Sequence, residues 1–138
     1  MPLDRFARKL LLLVEDEPLI AYQVERDLRS AGARVIAAGY LDAASYMTQH
    51  PDLSGAVVDF QLGDETALSL CRRLFERDLP FVIHTGYPVD AVRREWPLVP
   101  IIQKPALSDE IPTALSDLLG SRDKMLPGAA NGYSGVGF

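Results

Sequence analysis

The chain has 138 residues, 48% of them hydrophobic and 24% charged, which suits one compact domain with an ordinary core and excludes a disordered chain. A net charge of −5 argues against a nucleic-acid partner, and the basic pairs Arg72-Arg73 and Arg93-Arg94 read as solvated helix faces. No apolar run approaches the ~20 residues that cross a bilayer, Met1–Lys9 lacks the apolar stretch of a secretory signal, and the lone Cys71 excludes an internal disulfide, so a cytoplasmic protein with no membrane partner is expected.

Short apolar runs alternate with helical periods along the chain. Leu10–Val14 reads as a strand apolar on both faces, as a central parallel strand should be. Pro18 opens a helix whose apolar face is Ile20, Val24, Leu28 and Ala31, and Gly32 ends it. Arg34–Ala38 is a second strand, Leu41–His50 a short helix stopped by Pro51, and Gly55–Asp59 a third strand. Thr66–Arg77 is a helix with Ala67, Leu70, Cys71, Leu74 and Phe75 inward, and Cys71 is a small core residue rather than a nucleophile. Phe81–His84 is a fourth strand, Pro88–Trp96 a short and weakly amphipathic helix, and Val99–Ile102 a fifth strand. Asp109–Leu119 closes the series, with Pro112 confined to its first turn. The sum is an α/β fold of five βα units with crossovers long enough to join parallel strands. Residues 1–8 read as an extension, 9–120 as the domain, and 121–138 as a flexible Gly-rich tail, too small for an output domain.

Four groups of polar residues fall where these apolar runs end. They are Glu15-Asp16-Glu17, Asp59, Thr85-Gly86 and Lys104-Pro105. In an open parallel sheet the carboxyl ends of the strands converge on one crevice, where ligands bind. Each group has a plain structural reading. The three acids could cap the next helix and favour its dipole, Thr85 could cap a turn, and Lys104 could be a solvated lysine. Asp59 shifts the balance, because it ends the apolar run Ala56-Val57-Val58, where an unpaired charge is costly. Two carboxylates about 4 Å apart, Asp16 and Asp59, would repel by roughly 4 kcal/mol at an effective dielectric near 20. A hard divalent cation such as Mg²⁺ removes that repulsion and favours phosphate oxygens as its remaining ligands. The alternative is that Lys104 neutralises the pair without a metal.

Val14-Glu15-Asp16-Glu17, Val57-Val58-Asp59, Thr85-Gly86 and Lys104-Pro105, in this order on five βα units, resemble the receiver domain of two-component response regulators. The resemblance covers about residues 9–120. It implies a flavodoxin-like three-layer sandwich with strand order 2-1-3-4-5. It also implies that Asp59 is the phosphoacceptor, served by a sensor histidine kinase or a histidine phosphotransfer protein. Asp16, Asp59 and the Gln61 backbone carbonyl would hold Mg²⁺, with Glu15 acting through water, while Thr85, Gly86 and Lys104 would bind the phosphoryl group. A protein target would meet the face formed by the helix Pro88–Trp96, the strand Val99–Ile102 and the helix Asp109–Leu119, and a homodimer stays open. Pro80-Phe81-Val82-Ile83-His84-Thr85-Gly86-Tyr87 is similar to the Pro-Phe-x-Phe-Ala-Thr-Gly-Tyr signature of some stand-alone receivers, from which Ile83 and His84 depart.

The position three residues before the lysine, where receivers carry a rotating aromatic, is Ile101, which has no ring. Tyr87 is the nearest replacement as a switch. The reading is a stand-alone receiver, a phosphorylation-controlled binding module that is an enzyme only toward its own phosphoryl group. Two alternatives remain: a Mg²⁺-dependent phosphohydrolase using an aspartyl-phosphate, weakened because Gln61 stands where a proton-donating acid is wanted, and a pseudo-receiver, weakened by the intact Asp16, Asp59, Thr85 and Lys104.

Overall fold

A computed structural model of the chain describes residues 5–124. Strands β1 (Leu10–Val14), β2 (Arg34–Ala38), β3 (Leu53–Val58), β4 (Phe81–Thr85) and β5 (Ile101–Gln103) form one parallel sheet in the order β2-β1-β3-β4-β5, as the resemblance implies. Helices α1 (Pro18–Ser30), α2 (Leu41–Met47), α3 (Leu68–Glu76), α4 (Val89–Glu95) and α5 (Glu110–Lys124) connect and follow the strands.

Alternation along β1 divides the core. Leu11 and Leu13 join Val24 and Leu28 of α1 and Ile111 and Leu115 of α5 on one side of the sheet. Leu10, Leu12 and Val14 join Ala44 of α2, Leu70 and Leu74 of α3 and Val92 of α4 on the other. Every residue of β1 is buried, which is why the run carries no polar alternation. Each such leucine contributes about 1.5–3 kcal/mol by leaving water. In β3, Gly55 lets the sheet close on β4, because a Cβ there would stand 3.0 Å from the Pro80 carbonyl oxygen.

Several boundaries differ from expectation. Strand β3 begins at Leu53 and ends at Val58, leaving Asp59 just beyond it. Helix α2 stops at Met47 rather than His50. Helix α3 starts at Leu68, because Glu65–Thr66 pairs with Gln61–Leu62 in a two-rung antiparallel ribbon turned by Gly63 at φ +59. Strand β5 starts at Ile101, two residues late. Helix α5 runs to Lys124, four residues into the expected tail, and residues 125–138 lie outside the described residues.

The N-terminal segment packs on the domain. Phe6 is fully buried in the α1–α5 side of the core, and its N–H donates to the Ala31 carbonyl at 3.2 Å. Arg5 donates to Thr113 Oγ1 at 2.8 Å and pairs with Asp109 at 3.1 Å. Cys71 is a buried core residue, and burial raises its thiol pKa well above the ordinary value.

Candidate functional site

The carboxyl ends of β1, β3, β4 and β5 bring the expected polar groups to one edge of the sheet. Lys104, on the segment after β5, reaches back across the strand ends. Its Nζ donates to Asp59 Oδ2 at 2.8 Å and to Glu15 Oε2 at 3.2 Å. Glu15 Oε1 lies nearer, at 3.0 Å, yet has no donor directed at it among the described residues. The carboxylate of Glu15 is 1% exposed and that of Asp59 5%, so one ammonium serves two buried acids. The Lys104 backbone N–H donates to the Thr85 carbonyl at 2.8 Å, which fixes β5 against β4 at this level. The Lys104–Pro105 peptide bond is cis.

Charge and burial compete here. Burial pushes the Glu15 carboxyl up to about 7, against the Lys104 hydrogen bond and with help from the Asp59 charge. Burial also works against the Lys104 charge, but hydrogen bonds to Asp59 and Glu15 outweigh it and hold the lysine pKa above its ordinary value. Of the three consecutive acids, Asp16 and Glu17 are exposed. Glu17 is the N-cap residue of α1 but makes no side-chain capping bond, and its N–H instead donates to Glu15 Oε2 at 3.2 Å. The Glu17 side chain therefore does not cap α1, and Glu15 turns to Lys104 instead.

No family model matches the chain, and no curated protein matches it in sequence. Solved structures do. A response regulator receiver protein from Sinorhizobium medicae WSM419 is 26% identical, with 82% of this chain and 95% of that one covered at a TM-score of 0.74. SdrG from Sphingomonas melonis Fr1, solved in solution, is 32% identical, with 82% of this chain and 98% of that one covered at a TM-score of 0.72. The chain belongs to the response-regulator receiver family. A response regulator from Burkholderia pseudomallei, 25% identical over 84% of this chain and 73% of that one at a TM-score of 0.68, was solved with a phosphorylated aspartic acid, a calcium ion and citrate.

In this receiver the residues present suit a hard divalent cation. Ligand atoms of Glu15, Asp16 and Asp59 all lie within 4.8 Å of one another. Three carboxylates against one ammonium leave excess negative charge, and Glu15 Oε1 is a buried acceptor without a hydrogen bond. Oxygen ligands of this kind favour Mg²⁺ or Ca²⁺ over softer metals. Lys104 pairs with Asp59 and Glu15 rather than with Asp16, so the metal-free alternative, in which it neutralises Asp16 and Asp59 together, is met at Asp59 alone. Asp16 Oδ2 accepts the Gly63 N–H at 2.9 Å, and the Gln61 N–H donates to Asp59 Oδ1 at 3.2 Å.

Thr85 is fully buried at the end of β4, its hydroxyl oxygen accepting the Tyr87 N–H at 3.0 Å. Gly86 is exposed, and a Cβ added there would meet nothing within 4 Å. Ile101 pairs with Ile83 across the β5–β4 ladder and packs on the core. Tyr87 is 40% exposed and its O–H donates to Gln61 Oε1 at 2.6 Å. Trp96 anchors the far end of α4, its ring 5.6 Å from Phe81 and 6.0 Å from Phe75.

Two residues hold places that sequence reasoning does not assign them. Gln61 is expected at the site only for its carbonyl, yet its side chain bonds both Tyr87 and the Gly63 carbonyl. The Gly63-Asp64 pair is the available sign of a turn there. His84 is buried behind Lys104 and lines a cleft of about 410 Å³ between α1 and the loop after β5, with Gln23, Asp27 and Ile111. Burial, then the Lys104 charge, lowers its pKa to about 4, so it is neutral at pH 7.

Proposed function

We propose that this receiver accepts a phosphoryl group on Asp59 from a phosphohistidine of a sensor histidine kinase or histidine phosphotransfer protein. It then signals by binding a protein through its α4–β5–α5 face or by passing the phosphoryl group on. The observation that carries this reading is a buried Asp59 with Lys104 Nζ at 2.8 Å and a second carboxylate, Asp16, close beside it. An Asp59 oxygen attacks phosphorus, the P–N bond breaks, and the departing imidazole keeps the electron pair and takes up a proton. Mg²⁺, held by Asp16, Asp59 and the Gln61 carbonyl with Glu15 acting through water, would supply positive charge opposite the phosphoryl oxygens. Lys104 moves from Asp59 Oδ2 to a phosphoryl oxygen, where it acts as a point charge. The Thr85 hydroxyl and the Gly86 amide donate to other phosphoryl oxygens. Hydrolysis of the acyl phosphate restores Asp59.

Gln61 supports a signalling role over a phosphohydrolase, since an amide engaged with Tyr87 and Gly63 cannot protonate a leaving group. With Ile101 lacking a ring, Tyr87 is the residue that reports Thr85 movement to α4. Among the described residues no helix is long and apolar enough to cross a membrane, and the cytoplasm is the proposed compartment. Incubation with acetyl phosphate, with and without Mg²⁺, followed by intact mass spectrometry, tests the assignment. One phosphoryl group is expected on wild type in the presence of metal and none on Asp59→Asn. Labelling of Asp59→Asn at the wild-type rate would overturn it.

A further inference from the structure

Three hydrogen bonds in series cross the mouth of the site. The Tyr87 O–H donates to Gln61 Oε1 at 2.6 Å, Gln61 Nε2 donates to the Gly63 carbonyl at 2.7 Å, and the Gly63 N–H donates to Asp16 Oδ2 at 2.9 Å. The Tyr87 backbone N–H is bound in turn to the Thr85 hydroxyl at 3.0 Å. The series joins the loop before α4 to the exposed carboxylate at the end of β1. None of its bonds is needed to bind a phosphoryl group.

The geometry points to Tyr87 and Gln61 as positioning residues of the divalent-metal site, acting through Gly63 on Asp16. This rests on the reading of Asp16 and Asp59 as metal ligands. Asp16 is exposed, so its carboxylate has no packing to choose its rotamer, and an N–H behind a ligand carboxylate is the usual means of orienting it. The donor, Gly63, sits at the turn of a two-rung ribbon, which is too short to be stable by itself in water. Leu62 anchors its base in the core and the Ala67 N–H closes it onto the Phe60 carbonyl at 2.7 Å, but the turn at Gly63 and Asp64 is exposed and has no such packing. Gln61 ties across the turn to the Gly63 carbonyl, and Tyr87, 26 residues further along the chain, ties Gln61 to β4. The same ribbon carries the Gln61 carbonyl, so holding it still orders two of the expected ligands together. Thermodynamic reciprocity adds a consequence: if Tyr87 strengthens metal binding, bound metal must hold Tyr87 in place by the same factor.

Mg²⁺ titration of the 138-residue chain, followed by NMR of backbone amides and of ¹³C-labelled tyrosine rings, tests this without any phosphoryl transfer. In wild type the amides of Asp16 and Asp59 and the ring of Tyr87 are expected to shift along one binding curve. Tyr87→Phe, which keeps the ring, and Gln61→Ala, which keeps the carbonyl, are each expected to weaken Mg²⁺ binding about three- to ten-fold, the worth of one neutral hydrogen bond. Because the two act in series, the double variant should bind no more weakly than the weaker single one. Unchanged affinity in Tyr87→Phe, with metal-induced shifts at Asp16 intact, overturns the proposal and leaves the metal reading standing. Additive losses in the double variant overturn the series. Absence of shifts at both Asp16 and Asp59 in wild type overturns the proposal and the metal reading together.

Discussion

Lys104→Met removes the one ammonium that contacts Glu15 and Asp59 among the described residues while keeping an apolar stem of similar length. Breaking a buried ion pair by deleting one partner costs about 3–5 kcal/mol. Here the variant has an escape, because Glu15 already titrates near 7 and can take up a proton. Glu15 is protonated more readily in the folded chain than in the unfolded one. Its contribution to stability is therefore complete below the ordinary value of 4.5 and is lost as the pH rises through the folded value. Without Lys104 the folded value moves higher still, so the loss continues above pH 7. Each pH unit of that extension is worth up to about 1.4 kcal/mol. The expected destabilisation is about 3 kcal/mol at pH 8 and about 1 kcal/mol at pH 6. Urea unfolding of wild type and Lys104→Met at both values measures it. A loss below about 1 kcal/mol at pH 8, or the same loss at both pH values, would refute the view that Lys104 neutralises this pair.

His84 and Glu15 have opposite effects on acid stability. His84 titrates at about 4 when folded against 6.5 for the free side chain, so its contribution is complete above 6.5 and is lost as the pH falls toward 4. Between 4.5 and 6.5 the two slopes oppose, and wild type should show a flat profile there, whereas His84→Leu should become more stable as the pH is lowered from 7 to 5; parallel profiles would contradict this. Phe6→Ala empties a fully buried site between α1 and α5 and should cost about 3–5 kcal/mol in chemical unfolding, against under 1 kcal/mol if the segment only rests on the surface. Amide hydrogen exchange with and without beryllofluoride, a phosphoryl mimic, should change at Tyr87 and the start of α4 while the Trp96 end keeps its protection. Unchanged exchange across Thr85–Trp96, alongside protection gained near Asp59, would place the signal on another route.

Most of the fold is legible in the sequence because a sheet buried on both faces leaves plain marks. Leu10–Val14 is unbroken by polar residues for that reason, and Glu15 and Asp59 directly follow such runs, while Thr85 closes β4 and Lys104 comes one residue after β5, so the strand ends mark the candidate site along the chain. The ribbon at 61–66 leaves no such mark, because two residues per strand carry no periodicity, and its formation delays the start of α3. Which of three consecutive acids points inward is not legible either. Glu15 is buried on Lys104 while Asp16, one residue further past the end of β1, faces solvent. The contact between Tyr87 and Gln61 is tertiary, and nothing local to either residue announces it. Phe6 reads as part of an extension because one aromatic among polar residues forms no pattern, yet it fills the core between α1 and α5.

The assignment of Asp59 is tested most directly by trapping the acyl phosphate itself. After reaction with acetyl phosphate and Mg²⁺, borohydride reduces an aspartyl phosphate to homoserine, and peptide sequencing by mass spectrometry then locates it. Homoserine at position 59, dependent on metal and absent when Mg²⁺ is chelated, is the expected result. An unmodified Asp59, with homoserine at Asp16 or at no position, would contradict the assignment.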